Sequence, residues 1–353
     1  MFSQKEEHAI AFQKEAGKCS VLHYPPLWAT IGIINACINK CIFCAYHAKD
    51  AKKNSKVYNV PFKMSFERFK KNVDFFKAGG VPHIHICATG EPFLHPDIME
   101  MIDYVIDVYG KVSFQSNLNK NIMDRHNYID KILERKQYIS YITSDTFCND
   151  KYFFESVKVG SSYEDQIKTL KIFSDANIPL LANAIITKLS YKYLLGIIEA
   201  FVKHKINAKL SLSNIFPHGF NAYTSIENVF RSTDDEIKKY IENCKKLASR
   251  FGYQVVGGQP FDSPDNFCSV FWEKIQVWPV SGIDKHRYCE NLIPHGCNAV
   301  VLGDLNSLGY IDDFSSVMEW WNSPKLIGIR EMILAGKAPD KHCNLCPYGC
   351  RLS

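Results

Sequence analysis

The 353-residue chain contains no uninterrupted apolar run near the ~20 residues that a membrane-crossing helix needs. Its start, Met1 to Lys18, lacks the apolar segment of a secretory signal, because Lys5, Glu6, Glu7, Lys14 and Glu15 are spread through it. A concentrated basic run is also missing. The net charge of +5 is distributed along the chain, which argues against a nucleic-acid arm. There is no internal repeat beyond an alternation of elements, and no low-complexity segment. These absences predict a cytoplasmic protein with neither nucleic acid nor a membrane as partner. What remains is ordinary for a globular enzyme, with 46% hydrophobic and 22% charged residues. The length suits one barrel-sized domain and a smaller one.

Cysteine is the abundant residue, with 13 copies. In a reducing compartment such a number argues for metal ligation rather than disulfides. The cysteines gather in a short loop at 37–44 and in the C-terminal quarter. Between these groups, β-rich runs alternate with amphipathic helical stretches, the pattern of repeated βα units on a parallel sheet. Strands are expected at Trp28–Ile34, His83–Cys87, Lys111–Gln115, Tyr138–Thr143, Leu180–Thr187 and Ala208–Phe216. Ser65 opens a helix closed by Gly79 and Gly80, and Gly110 stops the next. Ser162 with Asp165, and Thr233 with Glu236, have the spacing of capping boxes. Six units predict an α/β fold, a partial TIM-like (β/α)6 barrel whose chemistry lies at the C-terminal ends of its strands. The run Gly257-Gly258-Gln259-Pro260 marks a break. The expected organisation is an N-terminal extension (1–26), the barrel (27–258) and a small cysteine-rich α+β domain (261–353).

Cys37, Cys41 and Cys44 follow the first strand in the order Cys-x3-Cys-x2-Cys. Three thiolates can hold three irons of a [4Fe–4S] cluster, leaving the fourth without a protein ligand, and an open metal position is where chemistry occurs. Half of a zinc site is the alternative for the trio alone. The second strand then leads into Thr89-Gly90-Glu91-Pro92. With this segment in register, the chain resembles the radical S-adenosylmethionine (SAM) superfamily over residues 27–353. The resemblance implies a SAM-binding [4Fe–4S] cluster on Cys37, Cys41 and Cys44. It further implies SAM held by Gly90, Glu91 and Pro92, and reductive cleavage to a 5′-deoxyadenosyl radical. Phe43 resembles the aromatic residue near adenine, while Ser116, Asn117, Ser144 and Asn183 match positions that touch the ribose or carboxylate. An external one-electron donor, such as a flavodoxin or ferredoxin, is implied as partner.

The C-terminal quarter resembles the SPASM and shorter twitch domains of that superfamily. Cys268 precedes Phe271-Trp272, the run Ile275-Gln276-Val277, Gly282 and Cys289. Farther on, Ser323 and Pro324 suit the cap and first residue of a helix that ends before Cys343-x2-Cys346. The resemblance implies a second, auxiliary [4Fe–4S] cluster on Cys268, Cys289, Cys343 and Cys346. Cys297 and Cys350 are alternates, and a zinc knuckle is the competing reading. Cys244 falls on a helical apolar stripe, and Cys87 ends a buried strand, so both are read as core. Cys148 is a candidate for returning a hydrogen atom to a substrate radical, against the reading of a buried structural thiol.

The leading expectation is oxidation or rearrangement of a small polar metabolite, a sugar or aminocyclitol, preferred over a peptide. It rests on the short segment before the cysteine trio, too short for a winged-helix leader-recognition domain. Peptide modification by epimerisation or thioether formation is the second reading. A zinc-stabilised binding module without catalysis is the third.

Overall fold

The structure, a computed structural model, describes residues 4–44, 46–49, 62–88, 90–146, 149–215, 222–260, 268, 270–280, 289–294, 308–340 and 343. Of these, 4–6, 222, 278–280 and 289–294 are described by backbone alone. Seven strands succeed one another with at least one helix between each consecutive pair: β1 (Trp28–Gly32), β2 (Ile84–Cys87), β3 (Val112–Gln115), β4 (Ile139–Asp145), β5 (Leu180–Ile186), β6 (Lys209–Asn214) and β7 (Val255–Gly257). After them come β8 (Lys274–Val280) and β9 (Cys289–Pro294). All nine form one sheet in the order β7-β6-β5-β4-β3-β2-β1-β8-β9. β1 to β8 are parallel and β9 is antiparallel to β8. The end strands β7 and β9 do not pair with each other, so this is an open, partial barrel.

Side-chain alternation gives the sheet two unlike faces. On β5, Leu180, Ala182, Ala184 and Ile186 are buried, while Leu181, Asn183 and Ile185 are only partly so. The apolar face receives the helices. In the helix Phe66–Ala78, Phe69, Val73 and Phe76 are fully buried, and the Ser65 side chain accepts a 3.2 Å bond from the Arg68 amide at its start. Gly110, at φ 75°, ends the helix Ile98–Tyr109, and Ser162 caps Tyr163–Asp175. Thr233 does not cap the helix it precedes. That helix runs Asp235–Arg250, one residue beyond Asp234, which makes no side-chain cap bond.

The chain beyond residue 260 returns to the barrel's own sheet. β8 lies beside β1, with Thr30 opposite Gln276. Residues 308–340 pack on this side through Trp320 and Trp321, both fully buried. Arg330 fixes the packing by donating Nε to the Phe271 carbonyl (2.8 Å) and Nη1 to the Ser20 carbonyl (3.0 Å). Ser323 and Pro324 do open the helix Pro324–Leu334, although the Ser323 hydroxyl makes no capping bond.

Candidate functional site

The loop after β1 carries the cysteine trio. Two backbone bonds clamp it to the end of the helix Lys151–Val157: Lys40 N–H donates to the Val159 carbonyl (2.8 Å) and Ile42 N–H to that of Val157 (2.9 Å). Cys41 is buried, and Cys37 and Cys44 are half-buried. Cys44 Sγ accepts from the amides of Tyr46 (3.4 Å) and His47 (3.3 Å), an arrangement that suits a sulfur carrying negative charge. Burial pushes the Cys37 and Cys41 thiols up to about 12 and raises Cys44 as well, and the neighbouring thiols add to the effect. Three thiols in such a place ionise together only with a cationic centre among them. Among the described residues, no three His, Cys, Asp or Glu side chains converge on a single metal ion. A cluster makes a different demand, because each thiolate binds a separate iron.

The loop after β2 is laced to the cysteine loop. Glu91 N–H donates to the Ala36 carbonyl at 2.8 Å, immediately before Cys37. A Cβ on Gly90 would lie 1.9 Å from that same oxygen, so glycine is required for close approach rather than for an unusual φ. Pro92 starts the short 3₁₀ turn that follows. The Glu91 carboxylate is buried and turned toward the loop after β3. It accepts from Ser116 Oγ (2.9 Å), Asn117 N–H (2.8 Å) and Phe93 N–H (3.2 Å). Burial raises its pKa, against which these donors and Lys158 act. Glu91 and Ser116 therefore brace the two loops against each other. Between them and Asn119, Leu118 takes a left-handed φ of 55°, uncommon for leucine and held by a 3.0 Å bond from its amide to Ser116 Oγ.

Lys158, absent from the sequence reading, is the centre of charge here. Its side chain is almost fully buried, and Nζ donates to the carbonyls of Asp145 (2.9 Å) and Asn117 (3.3 Å). Burial lowers its pKa, and the charges of Asp145, Cys41, Glu91 and Cys37 act against that shift. A lysine after a helix ordinarily reads as a solvated charge. The one local hint is its place between Val157 and Val159, before Gly160. Across the mouth, Asn183 Nδ2 donates to the Asp145 carboxylate (3.0 Å), and Ser213 Oγ donates to Asn183 Oδ1 (3.2 Å). Ser144 points the other way, beneath the sheet, where Gln166 donates to it at 2.7 Å. On the concave face the neighbouring position is held by Asp145. Phe43 packs into a small apolar cluster with Phe154, Val157 and Ile215.

The concave face continues downward as a polar row. Gln276, Thr30, His85, Ser113 and Tyr141 stand directly opposite one another on β8, β1, β2, β3 and β4. Ser113 Oγ meets His85 Nδ1 (2.8 Å) and His83 Nε2 (2.7 Å). Cys87 is buried, yet its thiol is approached by Gln276 Nε2 at 3.9 Å on this polar side, not packed among the helices. Cys244 lies in the apolar core, as its stripe predicts. Cys268 and Cys343 are both buried in that same core. Cys148, Cys297, Cys346, Cys350 and the Cys289 side chain lie outside the described residues.

The radical SAM superfamily profile matches residues 31–216, and the chain belongs to that family. Curated relatives include the uncharacterised protein MJ0785 of Methanocaldococcus jannaschii, 26% identical over 57% of this chain and 51% of that one. The antilisterial bacteriocin subtilosin biosynthesis protein AlbA of Bacillus subtilis is 28% identical over 43% of this chain and 32% of that one. The chain thus matches about half or less of each relative's length. Among solved structures, Streptococcus suis SuiB bound to S-adenosylmethionine superposes with a TM-score of 0.67 at 18% identity, covering 98% of this chain and 75% of that one. Native anSMEcpe with bound AdoMet gives 0.64 at 14% identity over 93% and 88%. At those identities the likeness concerns the fold.

Family membership implies a [4Fe–4S] cluster and SAM. The residues present fit that pair. The trio is a soft donor set with amides aimed at one sulfur, and the absence of a side chain at Gly90 lets the loop after β2 lie directly against the cysteine loop. The Thr146 hydroxyl, at the end of β4, is buried without a partner among the described residues. No helix among them is long and apolar enough to cross a membrane.

Proposed function

We propose that this radical SAM enzyme modifies a peptide, by thioether formation or epimerisation. The observation that carries the reading is the character of its relatives. AlbA is a bacteriocin biosynthesis protein, SuiB has been crystallised with its precursor peptide SuiA, and anSMEcpe with the Cp18Cys peptide. The small-metabolite partner expected from the sequence is corrected accordingly: these relatives point to a peptide instead.

In this reading Cys37, Cys41 and Cys44 hold the cluster. When bound, the cluster and SAM supply reductive cleavage to a 5′-deoxyadenosyl radical that abstracts hydrogen. The chain's own part is placement. Gly90 keeps the loop after β2 against the cysteine loop, Glu91 locks it to the loop after β3, and Lys158 offers a buried positive charge to an anionic group. Asp145 and Asn183 present polar atoms at the mouth. A twitch-type auxiliary cluster on Cys268, Cys289, Cys343 and Cys346 belongs to the same proposal, supported by the burial of Cys268 and Cys343. The test is anaerobic incubation of reduced, iron-loaded protein with SAM and a short peptide encoded beside its gene. A product lighter by two hydrogens, or carrying solvent deuterium, supports the reading. Turnover of a sugar or aminocyclitol with every such peptide unchanged defeats it.

A further inference from the structure

One edge of the sheet has no further strand beside it among the described residues. β7 is the last strand in the sheet order and is paired only through β6. Its register fixes which backbone groups are spent. Leu210 N–H donates to the Gln254 carbonyl (2.9 Å) and Gly258 N–H to the Leu212 carbonyl (3.0 Å). In a parallel ladder, bonds at 254, 256 and 258 leave the N–H and C=O groups of Val255 and Gly257 facing away from β6. Among the described residues, none takes them up. Such an edge is a template for main-chain pairing.

A groove of about 420 Å³ begins where β7 ends. Phe230 and Ile241 are among its lining residues, and Gly258 to Pro260 border it on the strand side. The helix Asp235–Arg250 supplies Lys238, Glu242 and Lys245. Lys238 is paired with Asp235 (2.5 Å) and Glu242 with Lys246 (2.7 Å). Lys245 is left as the lining charge with no acidic partner among the described residues. Apolar groups, one uncompensated cation and an open edge together suit one occupant.

We propose that the edge of β7 and its groove dock an extended, acidic segment of a peptide by strand addition. The backbone of Val255 and Gly257 supplies the pairing and Lys245 the charge preference. The inference rests on the peptide-modifying reading for its occupant, but it is tested without SAM or chemistry. The probe is a fluorescent, acetylated pentapeptide, Glu-Val-Thr-Val-Glu, titrated into the full chain and followed by anisotropy. Saturable binding is expected. Val255→Pro, which removes an outward donor without touching the ladder to β6, weakens it about fivefold, the worth of one net hydrogen bond. Lys245→Glu weakens it to a similar degree at low salt, and a backbone N-methylated probe fails to bind. Should Val255→Pro disturb folding, Lys245→Glu and the N-methylated probe carry the test. The proposal is overturned if the Val255 and Gly257 amides are protected from hydrogen exchange in the free protein. It is equally overturned if the well-folded Val255→Pro variant, or Lys245→Glu, binds the probe as the wild type does. A probe that binds while no peptide is modified counts against the enzymatic reading alone. Peptide modified by Val255→Pro with unchanged KM counts against the docking alone.

Discussion

Replacing Gly90 by alanine tests how the two loops at the barrel mouth are joined. The added Cβ would lie 1.9 Å from the Ala36 carbonyl oxygen, 2.5 Å from its carbon and 2.9 Å from its nitrogen. All three atoms are backbone, so no rotamer change relieves the clash. Restoring contact distance moves the loops apart by roughly 1 Å and breaks the Glu91-to-Ala36 bond. Overpacking costs about 1–3 kcal/mol and the lost bond about 1 kcal/mol, for a total of roughly 3 kcal/mol. That lowers the melting midpoint by roughly 5 °C or more. The functional effect is larger, because Ala36 adjoins Cys37 and a misplacement near 1 Å costs on the order of a hundredfold in rate. The assay is 5′-deoxyadenosine formed per chain by reduced, iron-loaded protein, beside a thermal melt. A Gly90→Ala protein with wild-type melting and wild-type 5′-deoxyadenosine yield would refute the packing argument.

Lys158→Met removes a buried ammonium and takes its donor from the Asn117 carbonyl, while the Asp145 carbonyl keeps only Gln166 Nε2 (2.8 Å). A loss of about 2–4 kcal/mol in urea unfolding is expected, whereas a change below about 0.5 kcal/mol contradicts the placement. Cys87, its thiol pushed up to about 12 by burial, stays protonated at neutral pH. Iodoacetamide at pH 8 should alkylate it on the order of a thousandfold more slowly than an exposed cysteine; prompt labelling in native protein shows it accessible instead. Asp312 receives Arg68 (2.8 Å) and Lys71 (2.8 Å). Burial alone would raise its carboxyl, but hydrogen bonds and charge from those two groups bring it below the usual range. A depressed acid contributes stability above its unfolded pKa and loses it as pH falls through the folded one. Asp312→Asn should therefore cost below about 1 kcal/mol at pH 7 and flatten the acid limb below pH ~4; an unchanged acid limb contradicts the ion pair.

Much of the scaffold was legible because its signals are local. Ser65, Gly110 and Ser162 act where hydroxyl and glycine chemistry puts them, and the six expected strands form in the expected alternation with helices, five of them shorter than anticipated and β4 extended to Asp145. β7 escaped because its three residues run into the glycine pair Gly257-Gly258, which reads as a break. The pairing of β8 with β1 escaped because a parallel neighbour 246 residues away leaves no trace in local periodicity (Trp28 opposite Lys274). At the site, the cysteine trio and Gly90-Glu91-Pro92 could be placed by spacing. The face on which Ser144 lies depends on strand phase, and one residue of phase moves the polar group from mouth to helix layer. Lys158 is the clearest omission. Its role comes from three loops and the end of β4 meeting around one ammonium, which no stretch of sequence displays.

The central claim is that the thiols of Cys37, Cys41 and Cys44 hold a redox cluster at which SAM is cleaved. Anaerobic reconstitution with iron and sulfide, reduction, and addition of SAM should yield 5′-deoxyadenosine from the wild type and none from Cys41→Ala. A wild-type protein that takes up zinc but no iron, or an equal yield from Cys41→Ala, would contradict it.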